Sequence, residues 1–261
     1  MKIFLVQLDI VWRDKERNFR KVRELLQKHD LAGSLVILPE MFATGFDVEL
    51  EGLSEGSAGQ LQETGAFLSG LAQEFCCTVQ GSGITPTGNG RQWNIVAVYD
   101  TEGRCVSTYQ KMHPFTYGGE HLRFEAGSKL ISYVVNSLRV APFICYDLRF
   151  PEVFRHATLA GAEVLIVAAN WPAPRHAHWL PLLQARAIEN QCYVIGVNRA
   201  GKDPRVAYMG ESVVFSPKGE RLALAGTDEC VLEVEIDAVA LREWRAKFPV
   251  LQDVRKEFLG L

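Results

Sequence analysis

Apolar residues recur along this chain with two periods, and the switches between them outline its elements. Residues 2–8, Lys-Ile-Phe-Leu-Val-Gln-Leu, form a run of strand length, as do residues 34–38. Between them Phe19, Val22, Leu25 and Leu26 fall on one face at helical spacing, which predicts a β-α-β opening. A second helix is expected over 57–75, carrying Leu61, Leu68, Leu71 and Phe75, with strands following near 77–84, 93–99 and 104–110. Asp100-Thr-Glu-Gly103 reads as the turn joining the last two, and Asn136-Ser137 as the turn joining strands 129–135 and 138–144. A helix at 151–160 leads to the very apolar strand 163–168. Helix 177–190, strand 192–198 and three shorter strands to about residue 235 complete the body. Hairpins mixed with β-α-β units, in two roughly similar halves, predict an α/β fold. Two mixed sheets would pack face to face with helices outside, as an α-β-β-α sandwich.

Composition sharpens that picture. The 261 residues are 48% hydrophobic, spread evenly, and no Pro/Gly/Ser-rich linker or charge block divides them, so a single domain over 1–261 is expected. A formal charge of −3 provides no electrostatic reason to expect nucleic acid or an anionic membrane as partner. The N-terminal apolar run is too short for a signal peptide and no stretch approaches a membrane span, which predicts a cytoplasmic protein. The cysteines at 76, 77, 105, 145, 192 and 230 contain no Cys-x-x-Cys pair, and no Cys/His cluster has zinc-ligand spacing. No metal, cofactor or structural disulfide is expected. His176 and His178 read as exposed histidines at a helix start.

Three strand ends carry candidate chemistry. In Phe143-Ile-Cys-Tyr-Asp-Leu-Arg-Phe-Pro-Glu152 an apolar run ends in the thiol of Cys145 and a proline-led helix start follows. Backbone N–H groups at such a junction can stabilise a thiolate and the oxyanion formed when it attacks a carbonyl. Taken alone, Cys145 reads as a buried core cysteine. In Leu35-Val-Ile-Leu-Pro-Glu40, Pro39 forbids a continuing central strand and leaves Glu40 at its end. The half-apolar strand 104–110 delivers Lys111 just before Pro114. Singly, Glu40 reads as a helix N-terminal carboxylate and Lys111 as a solvated edge lysine.

Together the three segments resemble the carbon–nitrogen hydrolase (nitrilase) superfamily. Leu-Pro-Glu-Met-Phe-Ala-Thr-Gly-Phe (38–46) looks like its glutamate motif, Tyr-Gln-Lys-Met-His-Pro-Phe (109–115) its lysine motif, and Cys-Tyr-Asp-Leu-Arg-Phe-Pro-Glu (145–152) its cysteine motif. Ala169-Asn-Trp-Pro-Ala-Pro-Arg175 and Ala185-Arg-Ala-Ile-Glu-Asn-Gln191 extend the resemblance over nearly the whole chain, and look most like its omega-amidase branch. The resemblance implies the same sandwich fold, a homodimer paired through a helical face, and a catalytic set of Glu40, Lys111 and Cys145. An accessory carboxylate with a positional role is implied in the loop after the lysine, Glu120 being the best match and Glu125 the runner-up. The segment 241–261 has amphipathic and aromatic character suited to docking on a partner subunit or to covering its own core.

The implied mechanism fits the chemistry of these groups. A free thiol has a pKa of about 8.5, so Cys145 needs a base, and Glu40 would supply it. Glu40 would then protonate the departing ammonia and activate water against the thioester. Lys111 and the backbone N–H of Tyr146 would hold the oxyanion. No histidine is required, so His113→Ala should leave the chemical step largely intact. Phe42, Phe46, Phe115, Tyr117, Tyr146 and Trp171 are candidates for an aromatic wall around the substrate, and Arg175 offers a fixed positive charge for a distal carboxylate. Arg149 competes for that role, although its position looks suited to bracing the loop against a buried acid. An N-carbamoyl amidohydrolase, an aliphatic amidase and a nitrilase proper would share the triad. A non-catalytic metabolite-binding protein or a peroxide-sensing thiol protein would not need it intact.

Overall fold

A computed structural model describes residues 1–49 and 52–258. The first sheet is built from β1 (Lys2–Gln7), β2 (Leu35–Ile37), β3 (Thr78–Pro86), β4 (Gln92–Tyr99) and β5 (Cys105–Gln110), with α1 (Lys15–Leu26) and α2 (Glu63–Glu74) between its strands. After the short α3 (Glu120–Arg123), the second sheet begins with β6 (Tyr133–Val135) and β7 (Leu138–Ile144). It continues through α4 (Pro151–Leu159), β8 (Val164–Ala169), α5 (Trp179–Asn190), β9 (Tyr193–Asn198), β10 (Val213–Phe215) and β11 (Arg221–Leu224). The chain then crosses back: β12 (Cys230–Glu235) joins the first sheet beside β1, and α6 (Ala238–Lys247) follows.

The strand orders are β12-β1-β2-β3-β4-β5 and β11-β10-β9-β8-β7-β6. In each sheet three central strands run parallel and the flanking pairings are antiparallel, which is the two-halves pattern expected. Alternation along the strands makes the layers. In β1, Ile3 and Leu5 point between the sheets toward Val140 and Phe143, whereas Phe4 and Val6 face α1 and α2 through Val22, Leu26, Leu68 and Leu71. On the far side Trp179 and Leu183 of α5 cover the second sheet. Gly196 on β9 makes room for them, since a Cβ there would lie 2.4 Å from the Leu183 side chain.

Some expected boundaries move. The helix expected over 57–75 begins only at Glu63, because Gly56 and Gly59 adopt left-handed φ of 73° and 74° and Ser57 bridges Gln60 in a tight turn. The strand expected over 129–135 shrinks to residues 133–135, which alone pair with β7. The Asn136-Ser137 turn forms as expected, with both residues at positive φ, the geometry that matches hairpin twist. Asp100 caps its own turn by accepting from the amides of Glu102 and Arg104. The helix α6 lies on its own chain: Leu241 is buried in the core and Arg242 pairs with Glu163 at 2.7 Å. The last three residues of segment 241–261 lie outside the described residues.

Candidate active site

The two sheets bring their strand ends to one cavity of about 410 Å³. Glu40 and Lys111 come from the first sheet and Cys145 and Asn170 from the second, so the site exists only once the sandwich is closed.

Glu40 lies three residues beyond the end of β2 and is fully buried. Its Oε1 accepts from Lys111 Nζ at 2.9 Å and Asn94 Nδ2 at 2.7 Å, and its Oε2 accepts from the backbone N–H of Asn170 at 2.9 Å. The Asn170 side chain donates to the Glu40 backbone carbonyl at 2.5 Å, so that Asn170 holds Glu40 by both its backbone and its carboxylate. Lys111 continues the β5 ladder, its amide donating to Asn94 at 2.9 Å. Its Nζ also donates to Glu120 Oε2 at 2.9 Å and Oε1 at 3.1 Å. Glu120 opens α3 directly after Gly119, whose φ of 76° makes the turn, and also accepts from the Phe115 amide at 2.6 Å. Of the two candidate carboxylates after the lysine, Glu120 is the one in contact with Lys111. Glu125 faces away, bound to Asn89 at 2.6 Å.

Burial alone would drive the Lys111 ammonium toward neutrality, but Glu120 and Glu40 more than offset it and hold the group above the ordinary lysine range. Burial raises Glu120 as well, helped by the negative charge of Glu40 and opposed by Lys111. Lys111 is thus a fixed cation and not a proton acceptor.

Cys145 directly follows β7 and is partly exposed at the cavity floor. Its φ of 44° is left-handed, a conformation that costs a non-glycine residue about 1–3 kcal/mol and is held by its surroundings. The strained turn aims the thiol off the strand into the cavity, ahead of the short helical turn Cys145–Arg149. Burial, then Glu40, push the thiol well above its ordinary value, with Lys111 opposing. Burial and Glu40 both favour the neutral thiol.

Phe46, Phe115, Tyr117, Tyr146, Trp171 and Arg175 all line the cavity. The Phe46 ring lies 5.6 Å from Lys111 Nζ, and the Phe115 and Tyr146 rings are 4.9 Å apart. Arg175 stacks over Phe115 at 5.0 Å and is anchored by its own carbonyl, which accepts from Trp171 Nε1 at 2.8 Å. Phe42 is a correction: it packs against Phe19 and Phe67 under the first sheet, since its place two residues after Glu40 turns it to the helical face. Arg149 is another. It pairs with no buried acid among the described residues, but lies over Trp171 at 4.7 Å, contacts His178 Nδ1 at 3.2 Å and lines the cavity. His176 pairs with Glu211 at 3.0 Å.

Sequence reasoning missed three groups. Asn94 bridges both carboxylates, and a lone amide inside the apolar strand Trp93-Asn-Ile-Val96 was the available signal. Asp147 lies buried behind the nucleophile turn. Asp203, Arg205, Val206 and Tyr208 form a further wall from a loop without periodicity, whose only hint was the Gly-Lys-Asp-Pro turn signal.

A buried carboxylate and a fixed ammonium thus flank a strained thiol at the floor of a small cavity, and residues 2–246 match the family model described as carbon–nitrogen hydrolase. The chain belongs to the carbon–nitrogen hydrolase family. As a carbon–nitrogen hydrolase it is 34% identical over 256 residues to a 2-oxoglutaramate amidase of Bacillus subtilis (strain 168), covering 98% of each chain. It is 37% identical to the omega-amidase YafV of Escherichia coli (strain K12), over 97% of this chain and 96% of that one. The solved structure of a CN-hydrolase superfamily protein from Xanthomonas campestris superposes with a TM-score of 0.89 at 35% identity, covering 97% of both. This carbon–nitrogen hydrolase is accordingly an amidase-type enzyme on the two-sheet fold of its superfamily. No helix among the described residues is long and apolar enough to cross a membrane.

Proposed function

We propose that this hydrolase is an omega-amidase, releasing ammonia from a short amide with a carboxylate at its far end, such as 2-oxoglutaramate or 2-oxosuccinamate. The observation that carries this substrate class is the pair Arg149 and Arg175. Both line the cavity stacked on aromatic rings, and neither forms an ion pair with a carboxylate among the described residues. An uncompensated guanidinium in a cavity of mainly apolar walls gains most from a bidentate carboxylate ligand. The activities named for the Bacillus subtilis and Escherichia coli relatives support the same class.

In the proposed reaction Cys145 Sγ attacks the amide carbon while its proton passes to Glu40, because the thiol is held above its ordinary value and does not ionise on its own. Lys111 Nζ and the Tyr146 N–H carry the negative oxygen of the tetrahedral intermediate. As the carbon–nitrogen bond breaks, Glu40 returns the proton to the leaving nitrogen and ammonia departs, leaving a thioester on Cys145. Glu40 then takes a proton from water attacking that thioester, and the carboxylate product leaves as the thiol is restored. Glu120 is a positioning residue: its carboxylate holds Lys111 charged and pointed.

The enzyme is further read as a cytoplasmic homodimer paired through a helical face. Exposed Ile188 on α5 and Val239 on α6 supply apolar surface for pairing, and Phe248 and Phe258 are exposed beyond α6. A light-scattering mass of one chain would remove that reading. For the activity, ammonia release should be measured from 2-oxoglutaramate beside a simple aliphatic amide, a nitrile and an N-carbamoyl amino acid, with Cys145→Ala as blank. Fast turnover of the oxo-acid amide alone is expected. Turnover of another member of the panel would discard the substrate, and silence across all four would favour a binding protein.

A further inference from the structure

The carboxylate of Asp147 is fully buried, lies outside the cavity, and has no part in the reaction as written. Asp147 nevertheless accepts four hydrogen bonds, from a strand of each sheet and from the loop that follows β5. Oδ2 accepts from the Ile144 amide at 2.9 Å, one residue before the nucleophile, and from the Tyr109 hydroxyl at 2.8 Å, two residues before Lys111. Oδ1 accepts from the amide of His113 at 3.0 Å and from its ring Nδ1 at 2.8 Å, two residues after Lys111. The Tyr109 hydroxyl in turn accepts from the Met112 amide at 3.4 Å. The donors thus bracket Lys111 on one sheet and abut Cys145 on the other. The His113 ring is itself fixed, stacked on Phe150 at 3.8 Å.

We infer that Asp147 is a positioning residue, the polar tie across the sandwich that holds the left-handed Cys145 turn in register with the Lys111 ammonium. Apolar packing between the sheets is non-directional and tolerates small slides. Four directed bonds to one carboxylate do not. The inference rests on the proposed roles of Cys145 and Lys111, since only a thiol and an oxyanion donor that must meet the same carbon need that register.

The test is Asp147→Asn. Whichever way the new amide turns, its NH₂ faces a backbone N–H, that of Ile144 or that of His113, which cannot reverse. The kcat should fall about a hundredfold with KM for 2-oxoglutaramate within about twofold, as misplacement of reacting groups does. Tyr109→Phe removes one donor and keeps the ring, and should cost about tenfold in kcat alone. Alkylation of Cys145 by iodoacetamide, followed by mass spectrometry, reads the thiol without any amide substrate and should slow in the same order. His113→Ala keeps the backbone donor and should cost less than Tyr109→Phe. A folded Asp147→Asn with kcat and alkylation rate within about twofold of the parent would overturn the inference. If Asp147→Asn does not fold, the same result in Tyr109→Phe overturns it. Should the parent enzyme prove inert toward 2-oxoglutaramate, the omega-amidase reading fails while the alkylation series still decides the role of Asp147.

Discussion

The floor and the mouth of the cavity are built on opposite principles. At the floor Glu40, Lys111 and Glu120 are 0%, 2% and 0% exposed, and each is bonded to at least two others or to Asn94. At the mouth Tyr117 is 86% exposed, and the cations Arg149 and Arg175 rest on aromatic faces without acid partners among the described residues. Burying one ammonium between two carboxylates is costly unless every partner is present, so the floor is rigid because it is over-determined. The mouth has electrostatic capacity to spare, which suits the anionic substrate proposed above. Under the proposed function, chemistry and recognition occupy different parts of one cavity.

Substitutions should divide along the same line. Lys111→Met leaves two carboxylates facing each other without a cation, and should both abolish turnover and cost about 3–5 kcal/mol of stability, measured by denaturant unfolding. Glu40→Gln keeps the shape but cannot take a proton, and single-turnover acylation should slow on the order of a thousandfold. Acylation at the parental rate in that variant would remove Glu40 as the base. Glu120→Gln should lower kcat about ten- to a hundredfold by loosening the ammonium; an unchanged kcat would take Glu120 out of the site. Arg175→Ala, at the mouth, should raise KM for an anionic amide about tenfold, with kcat and unfolding midpoint nearly unmoved. Equal KM would assign the carboxylate to Arg149.

The thiol sharpens the comparison from the side of pH. Because burial and Glu40 raise Cys145 above its ordinary value, the free enzyme should show no thiolate absorbance step attributable to this residue between about pH 6 and about pH 8, measured against Cys145→Ala. A step in that window would mean a preformed thiolate, and proton transfer to Glu40 would then precede attack instead of accompanying it.

Much of this arrangement is legible in the chain, for identifiable reasons. Pro39 and Pro114 mark where strands must stop, so backbone restriction alone assigns the residues near them, Glu40 and Lys111, to strand ends. The run ending at Ile144 and the proline at 151 do the same for Cys145. The aromatic wall is readable as a set but not residue by residue. Phe42 and Phe46 share one motif, yet the turn after Glu40, with Met41 at a φ of 44°, sends one to the helical layer and the other to the cavity. Arg149 could equally have braced its loop, and only the packing of Trp171 beneath it reveals a cavity wall.

What the sequence determined by itself was local: which segments are strands or helices, where they end, and which ends carry an acid, an amine and a thiol. These follow from periodicity and from backbone restrictions that act over a few residues. Tertiary structure alone decided what those ends meet. Asn94 between two carboxylates, Asn170 reaching across to Glu40, and Asp147 joining Tyr109 to Ile144 all link positions tens of residues apart. Such contacts depend on the relative placement of two sheets, which no short-range pattern encodes, and a buried polar group can be judged only once its partners are known.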